Sequence, residues 1–199
     1  MAATSLPLGA RRSLAALRML VVLTVLLGLA YPLVFTGFAQ LVAGSRADGS
    51  FVKRPDGNVV GSSLIGQAVE GREWFHPRPS AAGDGYDALA SGASNYGPNS
   101  DDLLELVEQR RAEVAAANGV DASQVPPDAV TASGSGLDPD ISVEYANLQV
   151  DRVARARGLD PARVRALVEE QTAPRQLGFI GEPRVNVLML NLALERLGG

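Results

Sequence analysis

The chain has 199 residues and a formal net charge of −4, and it contains no cysteine. The lack of cysteine excludes disulfides, Cys-based zinc sites, thiol catalysis and lipid attachment through a thiol. The acidic balance argues against nucleic-acid binding, which needs clustered Lys and Arg side chains. A chain of this length is expected to form one domain with additions.

An apolar stretch near the N-terminus predicts a membrane anchor. Residues 19–45 carry no charged side chain, and hydrocarbon about 30 Å thick needs roughly 20 helical residues. The alternative is a cleaved signal peptide with Gly37-Phe38-Ala39 as its cleavage site, but its apolar region would normally span only about 7–15 residues. We therefore predict a transmembrane helix at residues 14–38.

The charges around this stretch predict its orientation. Arg11, Arg12 and Arg18 precede it, without an acidic residue, and positive residues stay on the cytoplasmic side. Residues 1–13 are thus predicted to be cytoplasmic and residues 46–199 to form an extracytoplasmic domain of a single-pass protein of the inner, or plasma, membrane. That domain holds all 22 acidic and 15 of the 18 basic side chains, a balance of −7.

The pattern beyond the anchor predicts an α+β extracytoplasmic domain. A Gly-bounded apolar run suits a pair of strands, a Gly/Ser-rich run suits a long loop, and capping residues precede several amphipathic stretches. The predicted elements are a strand pair at Asn58–Gln67, a loop at Ala81–Pro98, a helix capped by Asn99 or Ser100 and ended by Asn118-Gly119, a helix from Ser142 to Arg157, a helix from Asp160 ended by Pro174, and a helix at Val185–Leu197.

Tests for enzymatic motifs predict no catalytic centre. A P-loop needs a lysine after its Gly-rich turn, and the single lysine, Lys53, is in no such loop. The Gly/Ser run at residues 131–136 offers backbone N–H groups to an anion, but a structural turn is the favoured interpretation. The single histidine, His76, is interpreted as a packing residue rather than a catalytic one.

Four further polar residues allow two interpretations each. Asp138 and Asp140 can perform acid–base work or bind a hard cation, although helix entry is the favoured interpretation. Asn186 and Asn191 lie in the predicted tail helix, where they bind a partner or satisfy buried backbone groups.

Six blocks of sequence, taken together, resemble one known family. They occur in order after a single N-terminal anchor, and together they cover nearly the whole chain. The series is similar to the C subunit (KdpC) of the bacterial Kdp potassium-transporting P-type ATPase. The blocks are Gly61–Gln67, Trp74–Ala81, Ser91–Asn99, Asp128–Pro139, Gln149 with Arg152–Ala154, and Gly178–Leu188.

This resemblance implies a function and partners. The chain would be a non-catalytic accessory subunit of a high-affinity, ATP-driven potassium uptake complex, with a channel-like potassium-binding subunit and a P-type ATPase subunit as its partners. The family is described as a catalytic chaperone that raises the ATP affinity of the ATPase subunit, so ATP is expected only in the context of the complex and no cofactor is expected on this chain alone. The alternative is a membrane-anchored extracytoplasmic ligand-binding module unrelated to transport.

The matching blocks supply the residues expected to contact partners or to hold the structure. No catalytic or metal-binding residue is predicted. The candidates are Arg78, Pro79, Ser94, Asn95, Gly97, Pro98, Asn99, Thr131, Ser133, Gly134, Ser135, Gly136, Asp138, Gln149, Arg152, Arg184, Asn186 and Asn191.

Overall fold

The computed structural model describes residues 7–54 and 56–198. The chain divides into two compact units, and the boundary between them along the chain lies between Ser50 and Phe51. Each unit is described by itself below. Residues 1–6 of the predicted cytoplasmic segment lie outside the described residues.

The first unit is a long apolar helical segment, made of α1 (Leu8–Val25), a π-helical turn (Leu26–Ala30) and α2 (Tyr31–Ala47), with a kink within α2 at Ala43, whose φ of −147° and ψ of 47° are not helical. Over 40 residues it is long and apolar enough to cross a membrane, and the predicted span at residues 14–38 falls inside it. Pro32 has no N–H to donate to the carbonyl of Gly28. The π-helical turn lies at this interruption of the helical ladder, where such irregularities commonly occur.

A short antiparallel hairpin opens the second unit. It joins β1 (Phe51–Lys53) to β2 (Val59–Ser62). The prediction of a strand pair within Asn58–Gln67 is therefore wrong, because only β2 lies in that run and its partner precedes it. Gly57, with φ of 88°, forms the turn, and the side chain of Asp56 accepts a hydrogen bond of 2.9 Å from the backbone N–H of Asn58. The sequence Pro55-Asp56-Gly57 is a turn signal, and its first residue, Pro55, lies outside the described residues.

Three of the predicted helices form as their capping residues indicate. Ser100, Ser142 and Asp160 each accept a hydrogen bond from a backbone N–H in the first turn of the helix that follows. Gly119 and Gly158 end the first two helices in the left-handed conformation, which glycine adopts without a Cβ penalty. These helices are α3 (Asp101–Asn118), α4 (Val143–Arg157) and α5 (Pro161–Glu170).

A three-stranded antiparallel sheet includes residues that were predicted to belong to the ends of two helices. It consists of β3 (Asp140–Ser142), β4 (Thr172–Ala173) and β5 (Arg184–Asn186), in the order β3-β5-β4. The helix predicted to run to Pro174 ends at Glu170, because β4 follows it at once. The predicted tail helix begins two residues late, as α6 (Val187–Leu197), because Val185 pairs within the sheet.

Helix α4 lies at the centre of the hydrophobic core. Val150 and Val153 of this helix are fully buried, as are Val164 of α5 and Leu190 of α6, and Phe75 from an irregular segment joins them. Residues 81–98 contain no helix or strand, as predicted. The long stretch before β3 contains two short 3-10 turns, Ala122–Gln124 and Pro127–Ala129.

The close approach at Gly136 provides a test of this fold. A Cβ atom there would lie 2.6 Å from the backbone nitrogen of Ala82, and the φ of 67° already disfavours other residues. Gly136→Ala is expected to lower the free energy of unfolding by about 1–3 kcal/mol, seen as a lower midpoint of thermal unfolding in detergent. Gly134→Ala is the matched control, since Gly134 has no neighbour within 4 Å of the added atom. Equal midpoints for the two variants would contradict the packing described.

Candidate functional site

Residues 71–78 contain no helix or strand and are held by side chains rather than by a neighbouring strand. Asn191 of α6 accepts a hydrogen bond from the backbone N–H of Phe75 and donates one to its carbonyl, both of 2.9 Å. The side chain of Gln149 of α4 accepts a hydrogen bond of 2.7 Å from the backbone N–H of His76 and donates one of 3.1 Å to its carbonyl. The two side-chain amides thus satisfy backbone groups that would otherwise be buried without partners.

Arg152 of α4 completes this arrangement from beneath the segment. Its guanidinium donates to the carbonyls of Arg72 and Trp74, at 2.5 and 2.9 Å. It also donates to the side-chain oxygens of Gln149 and Asn118, at 2.7 and 2.8 Å. The residue is only 3% exposed, and burial lowers the pKa of Arg152. Carbonyl and amide dipoles are the acceptors that stabilise this buried charge. Asn118, Gln149, Arg152 and Asn191 are called the polar strap below.

Arg157 and His76 fasten the edge of the same segment. The guanidinium of Arg157 lies 4.1 Å from the centre of the Trp74 ring, a cation–π contact, and its Nε donates to the carbonyl of Glu73 at 2.9 Å. Nε2 of His76 lies 2.8 Å from the carbonyl oxygen of Gly71. Burial lowers the pKa of His76. These contacts fit the packing interpretation of the single histidine.

Arg78, at the end of residues 71–78, joins two loops. Its Nη1 forms an ion pair of 2.9 Å with Asp138, and its Nε and Nη2 each lie 3.3 Å from the carbonyl of Thr131. The hydroxyl of Tyr86 donates to the carbonyl of Arg78 at 2.5 Å. Burial raises the pKa of Tyr86 to about 12, so this phenol stays protonated and able to donate at neutral pH.

The Gly/Ser run at residues 131–136 is tied to the neighbouring loop through its carbonyl oxygens. Ser80 Oγ donates to the carbonyl of Gly136 at 2.6 Å, and the backbone N–H of Gly92 donates to the carbonyl of Ser135 at 2.9 Å. The hydroxyl of Ser91 donates to Ser135 as well. This run therefore serves as a structural turn that holds the loop at residues 80–92.

Asp138 and Asp140 line a cavity of about 540 Å³ and are both paired. Nε of Arg184 lies 2.8 Å from Asp140, and Asn186 donates to the same carboxylate at 3.1 Å. Burial nevertheless raises the pKa of Asp140, since it outweighs the opposite effects of Asn186 and Arg184. The favoured interpretation of the two aspartates as helix-entry residues is wrong, because their carboxylates pair with Arg78 and Arg184 and the carboxylate that supports the helix cap Ser142 is that of Asp128.

Asp128, rather than Asp138 or Asp140, supports the entry to helix α4. Its carboxylate accepts from the backbone N–H and the hydroxyl of Ser142, at 2.7 and 2.8 Å. Asp138 and Asp140 instead use their charge on the guanidinium groups of Arg78 and Arg184. Among the described residues, no group of three His, Asp or Glu side chains has a geometry suited to a metal ion.

Asn186 and Asn191 were both predicted to lie in the tail helix, but only Asn191 does. Asn186 ends β5 and caps α6, where its side-chain oxygen accepts from the N–H of Met189 at 3.1 Å. Its Nδ2 also donates to the carbonyl of Ser63 at 2.9 Å. Asn191 does lie in α6, and it satisfies buried backbone, which is the second of the two predicted roles.

One group of candidates lies apart from these clusters. Ser94, Asn95, Gly97, Pro98 and Asn99 are all exposed, and Asn95 adopts a φ of 53°. Pro79 is half-buried next to Arg78. The structure thus gathers the other candidates into the polar strap, the Arg78 loop contacts and the β3–β5 edge.

The structure shows a surface feature that the sequence patterns missed. Residues 175–182 form a small hairpin-like turn with a bridge between Gln176 and Ile180, and an ion pair joins Arg175 to Glu182 at its base. Leu177 is 82% exposed, Phe179 71% and Ile180 47%. We call residues 175–182 the apolar tip. The available signal was three apolar residues within four positions, of which Phe179 and Ile180 fall in the block Gly178–Leu188 that was interpreted as a family motif.

Taken together, the fold and these clusters define a membrane-associated chain with one apolar helix and an α+β domain whose buried polar residues hold its shape. The chain matches the family KdpC, described as K+-transporting ATPase, c chain, over residues 13–196. It therefore belongs to the KdpC family.

Curated relatives agree with the family match along nearly their whole length. Each is named Potassium-transporting ATPase KdpC subunit. The protein from Kineococcus radiotolerans is 60% identical over 185 residues, covering 93% of both chains. That from Mycobacterium tuberculosis is 53% identical, covering 94% of this chain and 99% of the relative. That from Rhodospirillum rubrum is 54% identical, covering 90% and 93%.

Removing Arg152 tests the polar strap. Arg152→Met leaves several buried acceptors without a donor, each at a cost of about 1–3 kcal/mol, so the midpoint of thermal unfolding in detergent is expected to fall sharply. Protease cleavage within residues 71–78 should also accelerate. Arg155→Met, an exposed arginine on the same helix, is the matched control and should change neither readout. A wild-type midpoint for Arg152→Met would refute the strap.

Proposed function

We propose that the chain is a non-catalytic accessory subunit of an ATP-driven potassium uptake complex. The family match over residues 13–196 carries this proposal, because it covers both the apolar helix and the domain. The geometry supports it as well. Gln149 and Arg152 form hydrogen bonds with backbone groups and with each other. We therefore interpret these polar side chains as structural.

We assign two partners to the chain within that complex, a channel-like potassium-binding subunit and a P-type ATPase subunit. The apolar tip is the surface we assign to protein contact. Exposed apolar clusters on an otherwise soluble domain commonly mark interaction sites. Leu177, with φ of 52°, and the ion-paired base give the tip a defined shape before binding, which reduces the entropy lost on association.

The domain is proposed to lie outside the cell, where potassium arrives. The three N-terminal arginines favour a cytoplasmic N-terminus. In this position the domain would cap the outer entrance of the channel-like subunit and steady it. Its charge of −7 gives only a weak attraction for cations, since exposed charges are screened within about 8 Å at physiological salt.

An outside domain requires an indirect route to ATP, which is held in the cytoplasm. We propose that the subunit raises the ATP affinity of the ATPase subunit through its membrane helix, as a coupling between distant sites. The π-helical turn at Leu26–Ala30 and the adjacent Pro32 form an irregular part of that helix within the predicted span. Such irregularities often occur at functional positions.

Single cysteines in this cysteine-free chain test the placement. Ala47→Cys, at the end of α2, and Ser123→Cys, on an exposed turn, are expected to react with a membrane-impermeant thiol reagent added to whole cells. A cysteine on the cytoplasmic side, Ser13→Cys, is the matched control and should react only after lysis. Labelling of the first two variants only after lysis would place the domain inside.

Kinetics of the intact complex test the route to ATP. Pro32→Ala restores a backbone donor and regularises the helix, so the KM for ATP is expected to change by about fivefold or more. Leu33→Ala is the neighbouring control, which shortens a side chain without restoring a donor. An unchanged KM in a fully assembled Pro32→Ala complex would oppose coupling through this turn.

Photo-crosslinking of the same complex separates direct from indirect action. A photoreactive ATP analogue is expected to label the P-type ATPase subunit and to leave residues 46–199 of this chain unlabelled. Specific labelling within residues 46–199, removed by excess ATP, would show a direct contact and would overturn the indirect route.

A further inference from the structure

His76, the only histidine in the chain, lies within the residues 71–78 that the polar strap holds. Histidine is the side chain whose ordinary pKa lets it change charge between about pH 5 and pH 8. The ring is partly buried, and its Nε2 lies 2.8 Å from the carbonyl oxygen of Gly71. Because a carbonyl only accepts, Nε2 carries the proton of the neutral ring, and acid adds a second proton at Nδ1.

A permanent positive charge lies next to this histidine. The side-chain oxygen of Gln149 accepts from the backbone N–H of His76 and from Nη2 of Arg152, each at 2.7 Å. One amide oxygen thus connects the two residues. The acceptors that bind the Arg152 guanidinium are neutral carbonyl and amide oxygens. No carboxylate among the described residues forms an ion pair with it, so no bound anion cancels its charge.

The surroundings of the ring oppose a second proton. Burial lowers the pKa of His76 below its ordinary value of 6.5, and the charge of Arg152 lowers it further. The hydrogen bond with Gly71 and the charge of Glu73 act in the opposite direction but do not outweigh these effects. The groups that α6 and α3 bring to the strap are uncharged, namely the side-chain amides of Asn191 and Asn118.

We propose that His76 makes the polar strap sensitive to acid, because its protonation places a second cation beside the buried Arg152 and loosens residues 71–78. The folded domain takes up this proton less readily than the unfolded chain. The free energy of unfolding is therefore highest above the ordinary pKa of 6.5, and it falls as the pH decreases from there to the lower pKa of the folded state. In the extracytoplasmic placement proposed above, the medium would set this pH.

Nuclear magnetic resonance of the full chain in detergent tests the first step. A single histidine gives one set of ring signals, provided that the chain carries no histidine tag and is isotope-labelled at histidine. The titration midpoint of the ring in the folded chain is expected to lie below that of the same chain unfolded in urea. A midpoint in the folded chain equal to or above the one in urea would overturn the proposal.

Protease cleavage within residues 71–78 of the full chain tests the loosening. Each rate is divided by that of a free peptide of the same sequence at the same pH, which removes the pH dependence of the protease. The ratio is expected to rise about threefold or more between about pH 7.5 and about pH 5.5.

His76→Gln is the matched control for this cleavage. Glutamine keeps a side-chain N–H that can donate to Gly71 but does not titrate, so the ratio of this variant is expected to stay constant over the same pH range. A constant ratio in the wild-type chain, or an equal rise in both chains, would show that His76 does not control the strap.

Discussion

The fold depends on how residues 71–78, which have no neighbouring strand, are buried. Backbone N–H and C=O groups that lose water must find partners, and an unmet group costs about 1–3 kcal/mol. Here α4 and α6 provide the partners. Asn191 and Gln149 bind the backbone of Phe75 and His76 with two hydrogen bonds each, as a neighbouring strand would, and Arg152 donates to the carbonyls of Arg72 and Trp74.

This requirement connects distant parts of the sequence. Phe75 can enter the core beside Val150 and Leu190 because the polar groups of its own backbone are satisfied. The same segment ends at Arg78, whose ion pair with Asp138 fixes the loop before β3. One continuous network of side-chain contacts thus runs from α3 through α4 to the edge of the sheet.

Local signals predicted the helices well, because their causes are local. Ser142 and Gly158 delimit α4 through caps that involve only adjacent residues. The role of Asp140 and the position of Asn186 were mistaken because a strand register joins the two residues across 46 positions. The family resemblance selected Gln149 and Arg152 as candidates, but only the fold shows that their backbone partners lie more than 70 residues away.

The structure separates polar residues that are buried from features that are left at the surface. The polar strap is buried and occupied, so it shapes the domain. The apolar tip and the exposed loop at residues 94–99 are left at the surface. Of these exposed features, the apolar tip is the one that the proposed function assigns to protein contact.

Purification of the tagged chain from its native membranes tests the central claim most directly. The account predicts that the chain brings with it the large membrane chains of a potassium-transporting ATPase. It also predicts that replacing Leu177 and Phe179 by serine weakens this recovery, while Leu89→Ser, at a position 98% exposed elsewhere in the domain, does not. Recovery of a folded, isolated monomer would contradict the account.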